Sequence, residues 1–498
     1  MSTHVSSPNA PMGGDESTGD RRWLALVVIA VAQLMVALDA TIVNIALPSA
    51  QHALGFDDGD RQWVVTAYTS AFAGLLLLGG RVADHLGARR AFLIGLVGFA
   101  AASALAGTAT GFGELVAGRA LQGAFAALLA PTALSMVVVT FTEPRERARA
   151  YGVYGAVASS GGALGLILGG ALTDYLDWRW CLYVNVAIAV GALVAGLTVL
   201  PRTAAQARAA IDVMSGVLIT AGLAAVVFGC SQAVLHGWTS ARVVVPLVGG
   251  CLAIGLFLLR QTRTASPLLP LRILADRSRA GAYAALAAAV VGSFGMFLML
   301  TYHFQVILHW SPLRAGLAFL PLAGAVAASA YGLASRLLPR VAPRTLIVSG
   351  LLVAATGLAL LSRLDASSGY VSLLLPAELL LGAGMGCVFT PAISVATNGV
   401  ERRDVGVAAA TANTAMQIGG SIGTAVLNTV AITATAAYLS THARSTTAAR
   451  DALVHGYATA TLWAAALLVA VSAVATVLIR PRPQHQHGAT PQMEGPTT

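Results

Sequence analysis

Lysine is absent from this chain, and all thirty basic residues are arginines. Charge of either sign is scarce: Asp, Glu and Arg make up 10% of the residues, against about 25% in soluble domains. So few charges could not clothe a water-exposed surface of this size. Although the net charge is +9, the arginines are scattered through short connections. No basic domain forms that could follow a phosphate backbone, so nucleic acid is not an expected partner. Cysteine is rare too. Cys181, Cys230, Cys251 and Cys387 all lie in apolar runs, without metal-ligand spacing and without a disulfide framework. There is no P-loop, no Gly-x-Ser-x-Gly elbow, no zinc spacing and no Cys–His arrangement. The connections are too short to hold a catalytic domain. An enzyme is therefore not expected, and neither is a metal or cofactor.

What the chain has instead is apolar length. Hydrophobic residues reach 57%, gathered into fourteen runs near 23–48, 62–83, 89–108, 113–139, 149–173, 179–200, 211–233, 243–261, 281–306, 313–337, 345–362, 370–395, 406–434 and 457–479. A run of about twenty apolar residues crosses a bilayer as a helix. Only helices or closed barrels satisfy their backbone groups there. The expected fold class is an all-α integral membrane protein with 14 transmembrane helices. Most arginines fall in the tails and in every second connection. Arg61, Arg179, Arg242, Arg314, Arg363, Arg444 and Arg450 fall on the other side, and Arg119 lies inside a run. This asymmetry predicts that both tails are cytoplasmic. Residues 1–22 lack a signal peptide's order of charge, apolar run and cleavage site, so they and residues 480–498 are expected to be disordered cytoplasmic tails.

The fifth run carries GGALG (161–165) and the thirteenth GGSIG (419–423). The thirteenth is the fifth of the last six, which suggests two six-helix bundles, 23–205 and 263–479, as a parallel pseudo-repeat. Two inserted helices would occupy 206–262.

Six segments, in order and spread along the chain, carry a family resemblance. They are LDATIVNIALP (38–48), QWVVTAY (62–68), GRVADHLGARR (80–90), LVAGRALQG (115–123), WRWCLYVN (178–185) and SPLRAGLAFLP (311–321). From about 23 to 479 the chain resembles the major facilitator superfamily, and within it the fourteen-helix drug:proton antiporters. It departs from that pattern on the fifth helix. Where the family's motif reads Gly-Pro-x-x-Gly-Gly, this chain has GLILGG (165–170), with Leu166 at the proline position. Gly161, Gly165 and Gly169 still fall four apart on one face, with Gly170 beside them, so close packing should survive.

Intramembrane charges are the sharpest candidates, because they are costly and tend to be functional. At 1.5 Å per residue, Asp39 lies about 12 Å and Arg119 about 10 Å from the outer side. The resemblance implies that the first and fourth helices are neighbours, so the two can pair. Losing its partner in a dry site would raise the carboxyl's proton affinity, which makes a proton switch. A static ion pair that only fixes packing is the alternative. Glu378 lies about 12 Å deep on the twelfth helix, the counterpart of the fourth. The resemblance places both on a central cavity. Glu378 reads as a second protonation or cation site, or as a carboxyl kept neutral or reaching outward.

Gly80, Asp84, Gly87, Arg89 and Arg90 form the cytoplasmic turn that, in the family resembled, latches the two halves in one state. The alternative is a turn whose glycines set geometry while its charges stay inside. Gln33, Asn44, Gln122, Tyr302, Gln305, Asn413 and Gln417 are polar positions from which a substrate path could be lined, although many such side chains only bond across helices. His303 lies near an outer helix end, where it could face water.

The expected activity is proton-coupled export of amphipathic organic compounds, such as antibiotics, by a functional monomer in the bacterial cytoplasmic membrane. Its partners would be a small amphipathic substrate, protons and lipid. A proton-coupled transporter of an amino acid, siderophore or similar metabolite on the same fold is the first alternative. A non-transporting membrane sensor is the second.

Overall fold

The structure, a computed structural model, describes residues 16–141, 143–201, 212–264, 267–269, 271–365, 368–397, 400, 405–441 and 446–480. All regular structure among them is helical. The first six long helices are α1 (Glu16–Leu54), α2 (Arg61–Leu86), α3 (Ala88–Gly107), α4 (Phe112–Thr140), α5 (Pro144–Tyr175) and α6 (Trp180–Val199). Then come α7 (Val213–His236), α8 (Ala241–Arg263) and the short α9 (Leu271–Ala275). Next, α10 (Arg277–Tyr302) runs into a π-helical turn, His303–Ile307. The following run is broken into α11 (Pro312–Ala318), α12 (Leu320–Ala327), a π-helical stretch Ala328–Ala334 and α13 (Ser335–Leu337). Finally come α14 (Pro343–Leu361), a π-helical turn Tyr370–Leu374 leading into α15 (Leu375–Thr397), α16 (Val405–Thr441) and α17 (Thr446–Leu478).

Twelve helical segments among the described residues are long and apolar enough to cross a membrane. The all-helical membrane class expected from the sequence is thus present, but the count of fourteen spans is not reached on this criterion. The second and fifth expected runs correspond to α2 and α5, long helices outside the twelve. Hydropathy also misplaces some ends. Helix α1 starts at Glu16 inside the expected N-terminal tail, and α16 and α17 extend well past the apolar runs that mark them. Apolar content reports what lipid and core require, whereas backbone hydrogen bonding continues the helix into polar sequence. The tenth run breaks because Pro321 lacks an N–H for the ladder, and π-turns beyond it absorb the mismatch.

Outward faces carry large apolar side chains. On α8, Val245, Val248, Leu252 and Leu256 are exposed while Phe257 is buried. Water would penalise so large an apolar face, and lipid does not.

Glycines set the closest helix contacts. A Cβ at Gly161, Gly165 or Gly169 would lie 2.6 Å from Ala37 Cβ, 2.2 Å from Thr41 Oγ1 and 2.8 Å from the Ile42 carbonyl, so α5 lies directly on α1. The expected glycine face is therefore in use. Gly170 points elsewhere: its Cβ would meet Leu313 Cα at 2.6 Å, and a Cβ at Gly316 would lie 2.3 Å from the Leu166 carbonyl oxygen. These two seat α11 on α5. Helix α5 runs unbroken through Leu166, whose side chain is buried.

The α7–α8 pair docks at a seam. Helix α7 lies against α2, where a Gly74 Cβ would strike Thr220 at 2.4 Å. It also touches α16, where Thr429 Oγ1 donates to the Cys230 carbonyl at 3.1 Å. Helix α8 reaches the bundle mainly through α7, with Gly222 and Gly250 facing each other's carbonyls.

Candidate functional site

Asp39 is the centre of a closed polar cluster. Arg119 Nη1 donates to Asp39 Oδ2 at 2.7 Å. Both side chains are buried, at 0% and 2% exposure. Asn185 Nδ2 and Gln122 Nε2 donate to Asp39 Oδ1 at 2.7 and 3.1 Å. Gln122 also accepts from Arg119 at 2.9 Å and donates to Ser103 Oγ at 2.7 Å. Arg119 Nε donates to the Val64 carbonyl at 3.0 Å, and the guanidinium lies 4.5 Å from the Tyr68 ring centre. Helices α4 and α6 reach the α1 carboxylate directly, and α2 and α3 join the cluster through Arg119 and Gln122. Burying a charge pair is costly unless its remaining hydrogen-bonding positions are filled, and here they largely are. The Tyr68 hydroxyl and Asn185 Oδ1 are buried without a hydrogen-bond partner among the described residues, which leaves polar capacity at the site.

The structure brings together Asp39 and Arg119, which matching depth and the resemblance pair, and adds Gln122, which the sequence marks only as a path candidate. Asn185 and Ser103 were missed as site residues. Asn185 stands inside WRWCLYVN, and the signal that could have found it is an amide on an otherwise apolar helix.

Glu378 sits differently. It is fully buried; among the described residues its Oε1 has no hydrogen-bond partner and its Oε2 receives only the Tyr370 hydroxyl, at 3.5 Å. Gly123 follows Arg119 by four positions and meets the Tyr68 carbonyl of α2. Gly382 follows Glu378 by four positions and meets the Leu322 carbonyl of α12. Arg119 and Glu378 therefore occupy matching places on α4 and α15, the first paired with a counter-ion and the second with none among the described residues.

A second polar group crosses between the first six helices and α10–α17, at the end of the bundle far from the chain termini. Arg61 is only 2% exposed. It donates to Asn428 Oδ1 at 3.0 Å, stands 3.6 Å from Asp58 and packs 4.3 Å over the Tyr302 ring. Asn428 Nδ2 reaches the Asp58 carbonyl at 3.3 Å. Tyr302 bonds Gln51, and Gln305 Nε2 donates to the Ile45 carbonyl at 2.9 Å. Deeper along the same seam, Ser70 of α2 bonds Ser421 of α16. Tyr302 and Gln305 thus lie at this closure. Arg61, expected only to mark one side of the membrane, is a buried junction residue.

Of the other path candidates, Gln33 accepts from the Tyr154 hydroxyl at 2.6 Å, tying α5 to α1. Asn44 donates to the Ala40 carbonyl of its own helix at 3.3 Å. Asn413 is exposed and Gln417 half-buried on α16. His303, expected to be able to face water, is instead fully buried, with neither ring nitrogen hydrogen-bonded among the described residues. The π-turn at the end of α10 folds it inward beside Phe304.

At the termini end, Gly87 makes the turn from α2 to α3 with φ 81°, a conformation that favours glycine. Gly80 has open space beyond Pro131. Arg89 donates to the Leu197 carbonyl at 2.6 Å, and Arg90 is exposed. The side chain of Asp84 lies outside the described residues. Arg81, not singled out from the sequence, donates to the Pro267 carbonyl at 2.9 Å and so ties α2 to the segment before α10.

The geometry is that of a helical bundle with buried ionisable groups and two sets of long helices. Known proteins match it. The family model described as Major Facilitator Superfamily covers residues 29–424. A puromycin resistance protein of Streptomyces alboniger is 50% identical over 93% of this chain and 92% of its own length. A cephamycin export protein of Amycolatopsis lactamdurans is 40% identical over 86% and 88%. A lincomycin resistance protein of Streptomyces lincolnensis is 34% identical over 83% and 85%. Among solved structures, a bacterial homolog of the human lysosomal transporter Spinster, inward-facing and unoccupied, superposes with a TM-score of 0.67 at 14% identity, covering 93% of this chain and 97% of that one. This last likeness speaks for the fold alone. The chain is a multi-pass membrane protein and belongs to the Major Facilitator Superfamily.

Proposed function

We propose that this protein is a secondary active exporter of amphipathic antibiotics, driven by protons entering as drug leaves. Relatives at 34–50% identity bear names of antibiotic resistance or export, and they match most of the chain. The observation in this chain that carries the coupling is the closed cluster around Asp39. One guanidinium and two amides hold both oxygens of that carboxylate while the cluster is intact. If α4 moves relative to α1 during alternating access, Arg119 leaves and a proton replaces it. Binding of that proton then biases the two states differently, which is what coupling requires.

In this reading α2 and α5 also span, giving fourteen helices, with both tails cytoplasmic and the protein in the bacterial inner membrane as a functional monomer. The bundles 23–205 and 263–479 rock against each other, and α7–α8 rides on the seam. The Arg61–Asn428 and Ser70–Ser421 contacts close the outer side in the state described. Gly80, Gly87, Arg89, Arg90 and Asp84 latch the inner side in the opposite state.

Expression in a drug-sensitive bacterium tests this. Accumulation of at least one amphipathic antibiotic should fall, and a protonophore should restore it. Uptake of a nutrient with no export across a broad drug panel would promote the metabolite transporter instead.

A further inference from the structure

We infer that the proton which replaces Arg119 reaches Asp39 from the outer side through the first six helices themselves, by wetting a small apolar void that keeps the carboxylate dry in this state. The inference rests on the proton-coupled reading and deepens it. Among the described residues, Asp39, Arg119 and Gln122 bond only residues of the first six helices. A path to the cluster therefore need not cross the seam between the two helix sets.

The void lies next to that cluster, on the side away from the chain termini. Its lining follows the same helix faces. Val43 comes four positions after Asp39 on α1, Leu115 four before Arg119 on α4, and Cys181 four before Asn185 on α6. Residues four apart share a helix face. Helix α1 runs toward the far end of the bundle while α4 and α6 run from it, so all three steps point outward in the proposed orientation. Val64 of α2, whose carbonyl holds Arg119, also lines the void. The void leaves about 10 Å³ for the centre of a water molecule, room for one at most. Its lining side chains are buried and, with two exceptions, wholly apolar. The Cys181 thiol is already engaged by Thr173 and the Gly169 carbonyl. The Trp178 indole N–H has no partner among the described residues, but a trapped water needs about two to four polar partners.

A void with such walls stays dry, and an apolar constriction conducts only once it widens and wets. The void is bounded by α1, α2, α4 and α6, so the movement of α4 from α1 that frees the carboxylate also widens it. Water then brings the proton. Asp39 Oδ2 takes it in the place that Arg119 Nη1 leaves, while the guanidinium keeps Gln122 and the Val64 carbonyl. Release of the ion pair and access of the proton are thus one motion, and the dry void bars outer protons at other times.

Two variants of the full-length protein in proteoliposomes test this. Leu115→Asn gives the void a polar wall, so water should enter it in the inward-open state too and Asp39 should exchange protons with both sides. After an external acid pulse, trapped pyranine should report proton entry about fivefold faster than in the wild type, without drug. Adding Asp39→Asn should return the rate to the wild-type value. Ala46→Leu fills the void from α1. Gradient-driven accumulation of radiolabelled puromycin should fall about tenfold, while puromycin exchange at equal concentrations on both sides, which moves no net proton, should stay within about twofold. A merely misfolded variant would lose both. Should Ala46→Leu fail to fold, or puromycin not be carried, the proton entry decides. Wild-type proton entry in Leu115→Asn, or fast entry that survives Asp39→Asn, overturns the route. So does unchanged gradient-driven accumulation in Ala46→Leu. Wild-type accumulation that needs the gradient and Asp39, with both void variants silent, removes the void and leaves the proton-coupled reading standing. Accumulation that ignores the gradient removes both.

Discussion

Arg119 on α4 reaches across to Asp39 on α1 at 2.7 Å, and Asn185 on α6 approaches the other oxygen of the same carboxylate at the same distance. A cation and an amide from two different helices thus share one buried anion, so neither helix can move without changing the electrostatic state of the other. Removing Arg119 alone leaves that anion buried and under-compensated, at a cost of about 3–5 kcal/mol where the site is dry. Arg119→Ala combined with Asp39→Ala should cost less than the two single losses added. A thermal-stability cycle on purified protein measures this, and strict additivity would argue against an energetic link.

The seam between α2 and α16 gives a mechanical prediction. Ser70 and Ser421 touch across it. Replacing both with cysteine should allow a disulfide that holds the far end shut and stops transport, with activity returning on reduction. Full transport by the oxidised, cross-linked protein would show that this seam does not open.

Gly165 predicts a packing effect. Its Cβ would fall 2.2 Å from Thr41 Oγ1 and 2.7 Å from the Leu38 carbonyl. Gly165→Val should destabilise the protein by about 1–3 kcal/mol, because α1 must move away. Leu166→Pro should be better tolerated. The Gly162 carbonyl, which loses its helical donor in that variant, also accepts from Thr41 Oγ1 at 3.1 Å. Melting temperatures of the two variants in one detergent settle the order.

Acid should loosen the α7–α8 pair. Burial alone would push Asp212 up, but the Ser215 hydroxyl and amide and the Arg260 guanidinium outweigh it and hold the carboxyl below the usual range. A carboxyl depressed by folding contributes stability above its unfolded value of about 3.9, and that contribution fades as pH falls through the folded value. The Arg260 side chain is 45% exposed, so the effect is about 1 kcal/mol or less. The drop in melting temperature from about pH 6 to pH 3 should be shallower in Asp212→Asn than in the wild type. Identical slopes would remove Asp212 from the acid response.

Much of this was legible in the sequence. Hydropathy located the helices, and the depth of Asp39 and Arg119 along them put two opposite charges at one level. The four-residue spacing of Gly161, Gly165 and Gly169 foretold a close helix pair. Arg61 was misread because a charge at the first turn of a helix looks like a loop charge; only the fold brings Asn428 and Tyr302 over it. His303 was misread for a related reason, since a π-turn rotates it inward and no periodicity announces such a turn. The seating of α7 on both α2 and α16 depends on Gly74 and Thr429 meeting residues far away in sequence, and apolar runs carry no record of which faces meet.

In the proposed mechanism, protons drive drug export through Asp39. Everted membrane vesicles from cells expressing the protein, given an acid-inside gradient and a panel of amphipathic antibiotics with puromycin among them, test it most directly. Drug should enter wild-type vesicles while the gradient lasts, a protonophore should abolish this, and Asp39→Asn, present in the membrane at normal levels, should show no entry. Equal drug entry without a proton gradient, or wild-type rates in Asp39→Asn, would contradict it.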